Sequence, residues 1–190
     1  MNLVFYTWPL VTSLAVLVII GQVTALALAA LIAYESSAKR TTGLTSFVGR
    51  NALVLMLIVA LVATGGSLFF SEVAGFAPCK YCWIQRILMY PQVVVLAIAL
   101  WKRDATAARY ILALSLIGAA YAAYHYYIQL YDIIASPTNP ATPCDASGES
   151  CVKTPFMEFG YITIPMMALT GFVLNVIGSS LALRKNSRHI

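Results

Sequence analysis

Ala52 to Phe70 reads ALVLMLIVALVATGGSLFF, nineteen residues without a charge, long enough to cross a hydrocarbon core that needs about 20 residues of helix. Four other apolar runs share the chain with it: Thr12 to Ala33, Ile84 to Trp101, Tyr110 to Tyr131 and Tyr161 to Leu183. Across all 190 residues, 61% are hydrophobic and 10% charged, and the mean hydropathy is +0.82, whereas roughly 25% of residues are charged in a soluble domain. These values predict an all-α integral membrane protein with five spans. Helices are expected because a lipid-exposed segment must satisfy its own backbone hydrogen bonds, and the alternating pattern of a barrel is absent. The third run contains Arg86 and Pro91 and the fourth contains His125, so these two are expected to face the protein interior.

Lys39, Arg40 and Arg50 fall between the first two runs, Lys102, Arg103 and Arg109 between the third and fourth, and Arg184, Lys185 and Arg188 after the fifth. Those segments are expected to be cytoplasmic, since basic residues concentrate there. Lys80, Arg86 and Lys153 complete the basic residues, which leaves the other side poor in charge. Met1 to Leu10 carries no Lys or Arg, which fits an outside location and argues against a secretory signal peptide. The net charge of +5 belongs mostly to the cytoplasmic loops, and no basic stripe with interleaved aromatics suggests nucleic-acid binding. Phe69, Phe70, Trp83, Tyr126, Tyr127, Tyr131, Phe159 and Tyr161 resemble an interfacial aromatic belt.

All four cysteines fall on the charge-poor side: the Cys79-Lys80-Tyr81-Cys82 pair, and Cys144 and Cys151 in a loop of about thirty residues, a length that is unusual without structure of its own and often functional. Outside the cytoplasm such thiols meet an oxidising compartment. Pro78 sets the pair at the start of the third span, where unpaired N–H groups and the helix dipole favour a thiolate, expected on Cys82. In a continuous helix Arg86 lies about 6 Å further along the axis, on nearly the same face. It either snorkels to the headgroups or stabilises negative charge on the sulfur or on an electron acceptor dissolved in the membrane.

Ser136 to Pro143, with three prolines, is expected to be extended, and Asp145, Ser147, Gly148 and Ser150 to leave a mobile turn between the loop cysteines. A bond between those two would close a short loop worth at most about 2 to 3 kcal/mol, so exchange fits the spacing as well as stapling. Two structural disulfides remain an alternative. A zinc site is disfavoured by the wider second spacing and the lack of a nearby histidine in sequence, and haem attachment by Trp83 after Cys82. His125 is either a packing residue or a group that hydrogen-bonds a quinone carbonyl or relays a proton. Pro91 is expected to kink its span, and Gly65, Gly66 and Gly118 to allow close helix packing.

The ordered set Cys79-Lys80-Tyr81-Cys82-Trp83-Ile84-Gln85-Arg86, then His125-Tyr126-Tyr127-Ile128-Gln129-Leu130, then Cys144 and Cys151, resembles the DsbB/BdbC family of quinone-dependent thiol oxidases over about Ala52 to Leu183. The resemblance implies a four-helix transmembrane bundle over residues 52–183 with an outer redox loop at 132–160. Residues 1–51 are then an extra transmembrane helix with a cytoplasmic loop, and 184–190 a cytoplasmic tail.

It further implies residence in a bacterial cytoplasmic (inner) membrane, with the cysteines facing the periplasm or cell exterior. Cys144, bonded to Cys151, would take a mixed disulfide with a DsbA-like thioredoxin-fold oxidase. Electrons would pass to Cys79 and Cys82 and on to ubiquinone or menaquinone beside Cys82, polarised by Arg86 and His125, with no metal involved. The extra first span and the short Cys144 to Cys151 separation depart from the family pattern, and Phe156, Met157, Phe159 and Tyr161 are expected to supply membrane contact. A vitamin K epoxide reductase-like quinone reductase is the alternative enzyme, although its loop cysteines precede its Cys-x-x-Cys. A non-enzymatic scaffold with two structural disulfides is the other.

Overall fold

The computed structural model describes residues 3–38, 40–135, 144 and 148–186, with side chains from residue 8 to residue 184 within those ranges. Residues 136–143, expected to be extended, and 145–147, where a mobile turn was expected, lie outside the described residues, as do Lys39 and Arg188. The helices are α1 (Leu3–Ala38), α2 (Gly43–Arg50), α3 (Ala52–Leu68), α4 (Lys80–Lys102), α5 (Ala108–Ala135) and α6 (Ile164–Asn186). Among the described residues, five are long and apolar enough to cross a membrane, all but α2. The chain is a multi-pass helical membrane protein.

α3, α4, α5 and α6 close a ring in which each packs on the next, and α1 and α2 lie against α6. Five spans in the order of the sequence therefore become a four-helix bundle with one added helix, as expected. Two boundaries differ from the apolar runs. α4 begins at Lys80, ahead of Ile84, because Cys79 takes the extended N-cap conformation (φ −72°, ψ 173°) after Pro78. This places Cys82 and Arg86 within the first two helical turns. α6 begins at Ile164 because Phe159 and Gly160 both adopt left-handed φ (49° and 78°), in a tight turn closed by paired hydrogen bonds between Glu158 and Ile162.

The bundle closes over small residues and one polar cluster. A Cβ on Gly118 would run into the Phe172 ring of α6, and Phe172 is fully buried. Gly66 admits Leu14 of α1, whereas a Cβ at Gly65 would meet open space, so only two of the three glycines serve close packing. α4 continues through Pro91 without a break in its helical assignment. Deeper in the bundle, Ser115 and Asn175 both donate to Gln92 Oε1 (3.1 and 2.9 Å), joining α5 and α6 to α4. In an apolar bilayer such a bond contributes on the order of 0.6 kcal/mol, but it also specifies which faces meet.

Where the chain crosses back between α1 and α3, the buried Glu35 carboxylate accepts from the Thr42 N–H and from the hydroxyls of Thr42 and Thr45. This fastens α2 to the end of α1.

Gly118→Ala is expected to destabilise the bundle by about 1 to 3 kcal/mol, the usual range for overpacking. Thermal unfolding in detergent measures it, and an unchanged midpoint would show that Phe172 has room to move.

Candidate active site

The cysteine end of the bundle is built from the start of α4, the last half of α5, the end of α3 and the loop that precedes α6. α3 ends in a π-helical turn, Phe69–Val73, that carries Phe70 inward. Phe70, Phe76 and Phe156 form a buried cluster with ring centroids 5.4 to 6.2 Å apart. Phe156 therefore anchors the loop to the bundle and gives no membrane contact. Phe70 likewise leaves the expected aromatic belt, while Trp83, Tyr127, Tyr131 and Phe159 remain exposed on it. Tyr161 donates to Gln22 Oε1 of α1 (2.7 Å), and Tyr126 donates to the Tyr161 carbonyl (3.1 Å). The part of the loop after Cys151 is held down, because its Phe156 packs against the rings of Phe70 and Phe76.

Cys144 and Cys151 form a disulfide with a Cα separation of 5.7 Å. Cys151 is buried and Cys144 half-buried, so Cys144 is the more accessible residue of the bonded pair. Cys79 and Cys82 are free thiols, and their sulfurs share a hydrogen bond at 3.2 Å.

His125 joins the two pairs. Its Nε2 lies 2.9 Å from the Cys151 carbonyl and 3.7 Å from Cys79 Sγ, and its Nδ1 is 3.0 Å from Gln85 Nε2. A carbonyl can only accept and an amide nitrogen can only donate. The ring is thus the Nε2–H tautomer, turned toward the sulfurs, with both nitrogens engaged. Tyr81 packs on it at 5.4 Å.

The Cys79 thiol is pushed down to about 4, chiefly by the hydrogen bond from Cys82, with burial opposing and His125 adding to the effect. The depressed pKa was expected on Cys82. It falls on Cys79 because the hydrogen bond shared with Cys82 is its largest influence and His125 faces the same sulfur.

Arg86 is buried and does not snorkel. Its Nε donates to Ser67 Oγ (3.0 Å) and its terminal nitrogen to the Ser67 carbonyl (2.9 Å), while Tyr90 donates to the same hydroxyl (3.2 Å). The guanidinium also lies 5.2 Å from the Trp83 ring centroid.

Arg86, Gln85, Gln129, His125, Cys79 and Cys82 all border a cavity of about 290 Å³ whose remaining walls are mostly apolar. Gln129 is 3% exposed, and its Oε1 has no hydrogen-bond partner. Gln85, Gln129 and Ser67 were not singled out in the sequence. The two glutamines carry a signal in hindsight, since Gln129 follows His125 by one turn on the same face and Gln85 adjoins Arg86. Ser67 has none beyond being a polar residue in an apolar run.

The model of the disulfide bond formation protein DsbB family matches residues 49–182. The chain belongs to the DsbB family. Among its relatives, a probable disulfide formation protein of Metapseudomonas resinovorans is 42% identical over 127 residues, covering 67% of this chain and 85% of that protein. Disulfide bond formation protein C of Bacillus subtilis is 42% identical over 131 residues, with coverage of 67% and 91%. The SPbeta prophage-derived disulfide bond formation protein B of the same organism is 35% identical over 141 residues, with coverage of 74% and 90%. No solved structure matches the chain. Membership in the DsbB family assigns a role in disulfide formation and implies thiol oxidoreductase activity.

Cys79 Sγ, Cys82 Sγ and a His125 nitrogen lie within 4.8 Å of one another, a spacing that a soft cation could also use. The prior engagement of both His125 nitrogens favours thiol exchange instead.

A pKa near 4 means that the Cys79 thiolate of the reduced protein persists down to about that pH and is lost below it. Cys82→Ala removes the main donor and is expected to return the titration toward about 8.5. The pH dependence of Cys79 alkylation measures this shift, and an unchanged low titration in the variant would assign the effect elsewhere.

Proposed function

We propose that the protein is a membrane thiol oxidase. It reoxidises a DsbA-like thioredoxin-fold protein outside the cytoplasm and passes the electrons to a membrane quinone through its two cysteine pairs. The observation that carries this reading is the position of His125, bonded to the backbone of one pair and facing a sulfur of the other, at the edge of an apolar cavity.

The chemistry proceeds by exchange. A partner thiolate attacks Cys144, the less buried residue of the pair, forming a mixed disulfide and releasing Cys151 as thiolate. The partner's second thiol resolves the mixed bond and leaves oxidised, with Cys144 and Cys151 reduced. Cys151, whose carbonyl shares His125 with Cys79, then attacks Cys79 in a Cys79–Cys82 disulfide and expels the Cys82 thiolate. Cys144 closes on Cys151 and restores the loop disulfide, leaving the two electrons on Cys79 and Cys82. Such exchanges are nearly isoenergetic between matched pairs, and about 30 mV corresponds to 1.4 kcal/mol for two electrons.

The cavity fits a planar ring acceptor. Its volume lies near the lower end of small-molecule sites, at roughly 300 Å³, and it combines apolar walls with a few convergent polar groups. When bound, ubiquinone or menaquinone supplies the two-electron, two-proton acceptor that returns the Cys79/Cys82 dithiol to a disulfide. Arg86 offers the cavity a fixed positive charge, preorganised by Ser67, and Gln129 a buried polar atom without a protein partner. His125 holds a proton at Nε2 beside Cys79 Sγ and is placed to exchange it with the sulfur.

Orientation follows from charge. Arg40, Arg50, Lys102, Arg103, Arg109 and Arg184 belong to the end opposite the cysteines, a distribution that supports reading the basic end as cytoplasmic and the cysteine end as facing the periplasm or cell exterior of a bacterial cytoplasmic membrane.

Reconstituted protein with either quinone is expected to oxidise a reduced thioredoxin-fold partner, and Cys82→Ser or Cys144→Ser to abolish turnover. Unchanged quinone-dependent oxidation in either variant would overturn the proposal. Arg86→Ala is expected to raise KM for quinone about tenfold or more, the cost of a lost charge-assisted hydrogen bond, with little change in KM for the thiol partner. Equal effects on both would remove Arg86 from the acceptor site.

A further inference from the structure

α1 lies outside the matched part of the chain, which begins at residue 49, yet it supplies a wall of the same cavity through Leu14, Leu17 and Val18. The opposite wall is α3, through Ile58, Val59 and Val62. Exposure is graded along this lining. Cys79, Arg86 and His125 at one end are buried, whereas Leu17 and Ile58 at the other are 51% and 52% exposed on the apolar outer surface. The cavity therefore opens sideways, toward lipid, between α1 and α3.

The opening is built into how α1 docks. Gln22 donates to Thr170 Oγ1 of α6 (3.3 Å) and accepts from Tyr161 (2.7 Å), so α1 is pinned to α6 and to the turn before it. Against α3, Leu14 lies where a Cβ on Gly66 would meet it at 3.6 Å, near the cysteine end. Below that contact the two helices border a slot whose α1 and α3 walls are the apolar side chains of Leu17, Val18, Ile58, Val59, Val62 and Ala63, with α6 lining the rest.

From Ser67, which holds Arg86, to Ile58 is nine residues of α3, or about 14 Å along the helix. A 290 Å³ cavity accepts a substituted ring and the first part of a chain, so the remainder of a long apolar tail must leave by the slot.

We propose that α1 and α3 form a binding slot for a polyprenyl chain, and that α1 thereby selects acceptors by their tail. The inference rests on the quinone reading above and deepens it. A polyprenyl tail is preferred to a lipid acyl chain because the slot is continuous with the pocket that presents Arg86 and Cys82. Burial of each additional methylene strengthens binding, so a blocked slot weakens long-tailed ligands selectively.

The test compares Leu17→Trp, which fills the slot, with Leu26→Trp, on the same helix at a highly exposed position away from the cavity. Two quantities are measured: the long-chain quinone retained per purified protein after membrane extraction, and KM for a long-chain quinone and for its tail-less ring. Leu17→Trp is expected to lower retention and raise KM for the long-chain quinone about tenfold, with less than about twofold change for the tail-less ring. Leu26→Trp is expected to match the unsubstituted protein in both. Should Leu17→Trp fail to accumulate, Val18→Phe carries the same comparison.

Equal losses for long-chain and tail-less quinones, or unchanged retention with normal turnover, would overturn the slot while leaving the oxidase reading intact. An unsubstituted protein that neither retains quinone nor oxidises thiols with it would overturn both.

Discussion

The site depends on His125 being held from both sides. Gln85 occupies Nδ1, the Cys151 carbonyl takes the Nε2 proton, and Cys79 Sγ faces the same nitrogen. A buried neutral imidazole is tolerated only when both nitrogens are satisfied. Here the satisfaction ties a loop to a helix bundle and brings two cysteine pairs, far apart in sequence, to one ring. The Phe70–Phe76–Phe156 cluster stabilises the same arrangement from the loop side, so geometry at the sulfurs is set by aromatic packing as much as by polar contacts.

Much of this was legible in the amino-acid sequence. Five apolar runs and the absence of alternation led to a helical membrane bundle, and the placement of cysteines relative to the runs put all four at one end. Arg86 and His125 stood out because an ionisable group in a span needs a partner. Both border the cavity, although the partners of Arg86 are a serine hydroxyl and a carbonyl, with no carboxylate in its hydrogen bonds. Other features were hidden for physical reasons. Ser67, Gln92 and Asn175 act across helices, and such pairing leaves no trace in the periodicity of one helix. The choice of Cys79 as the thiol with the lowered pKa depends on the hydrogen bond between the two sulfurs and on His125, a residue of another helix, neither of which helix-start signals reveal. The anchoring of the loop depends on Phe70 turning inward at a π-helical turn, which shifts the facing of everything after it.

α1 illustrates the same point at a larger scale. As a sequence it is an apolar run with no distinguishing residue. Gln22 gains meaning only when Thr170 and Tyr161 meet it, and the pinned helix then becomes part of the cavity wall. The outer face, with Ile20, Val23 and Leu26 exposed, remains that of an ordinary lipid-facing span.

The central claim is that electrons received by the loop pair move to Cys79 and Cys82. It is tested most directly by mapping free thiols after one equivalent of a reduced thioredoxin-fold protein is added to oxidised, quinone-depleted protein. The account predicts alkylation of Cys79 and Cys82, with Cys144–Cys151 re-formed. Alkylation confined to Cys144 and Cys151, with Cys79–Cys82 still bonded, would contradict it.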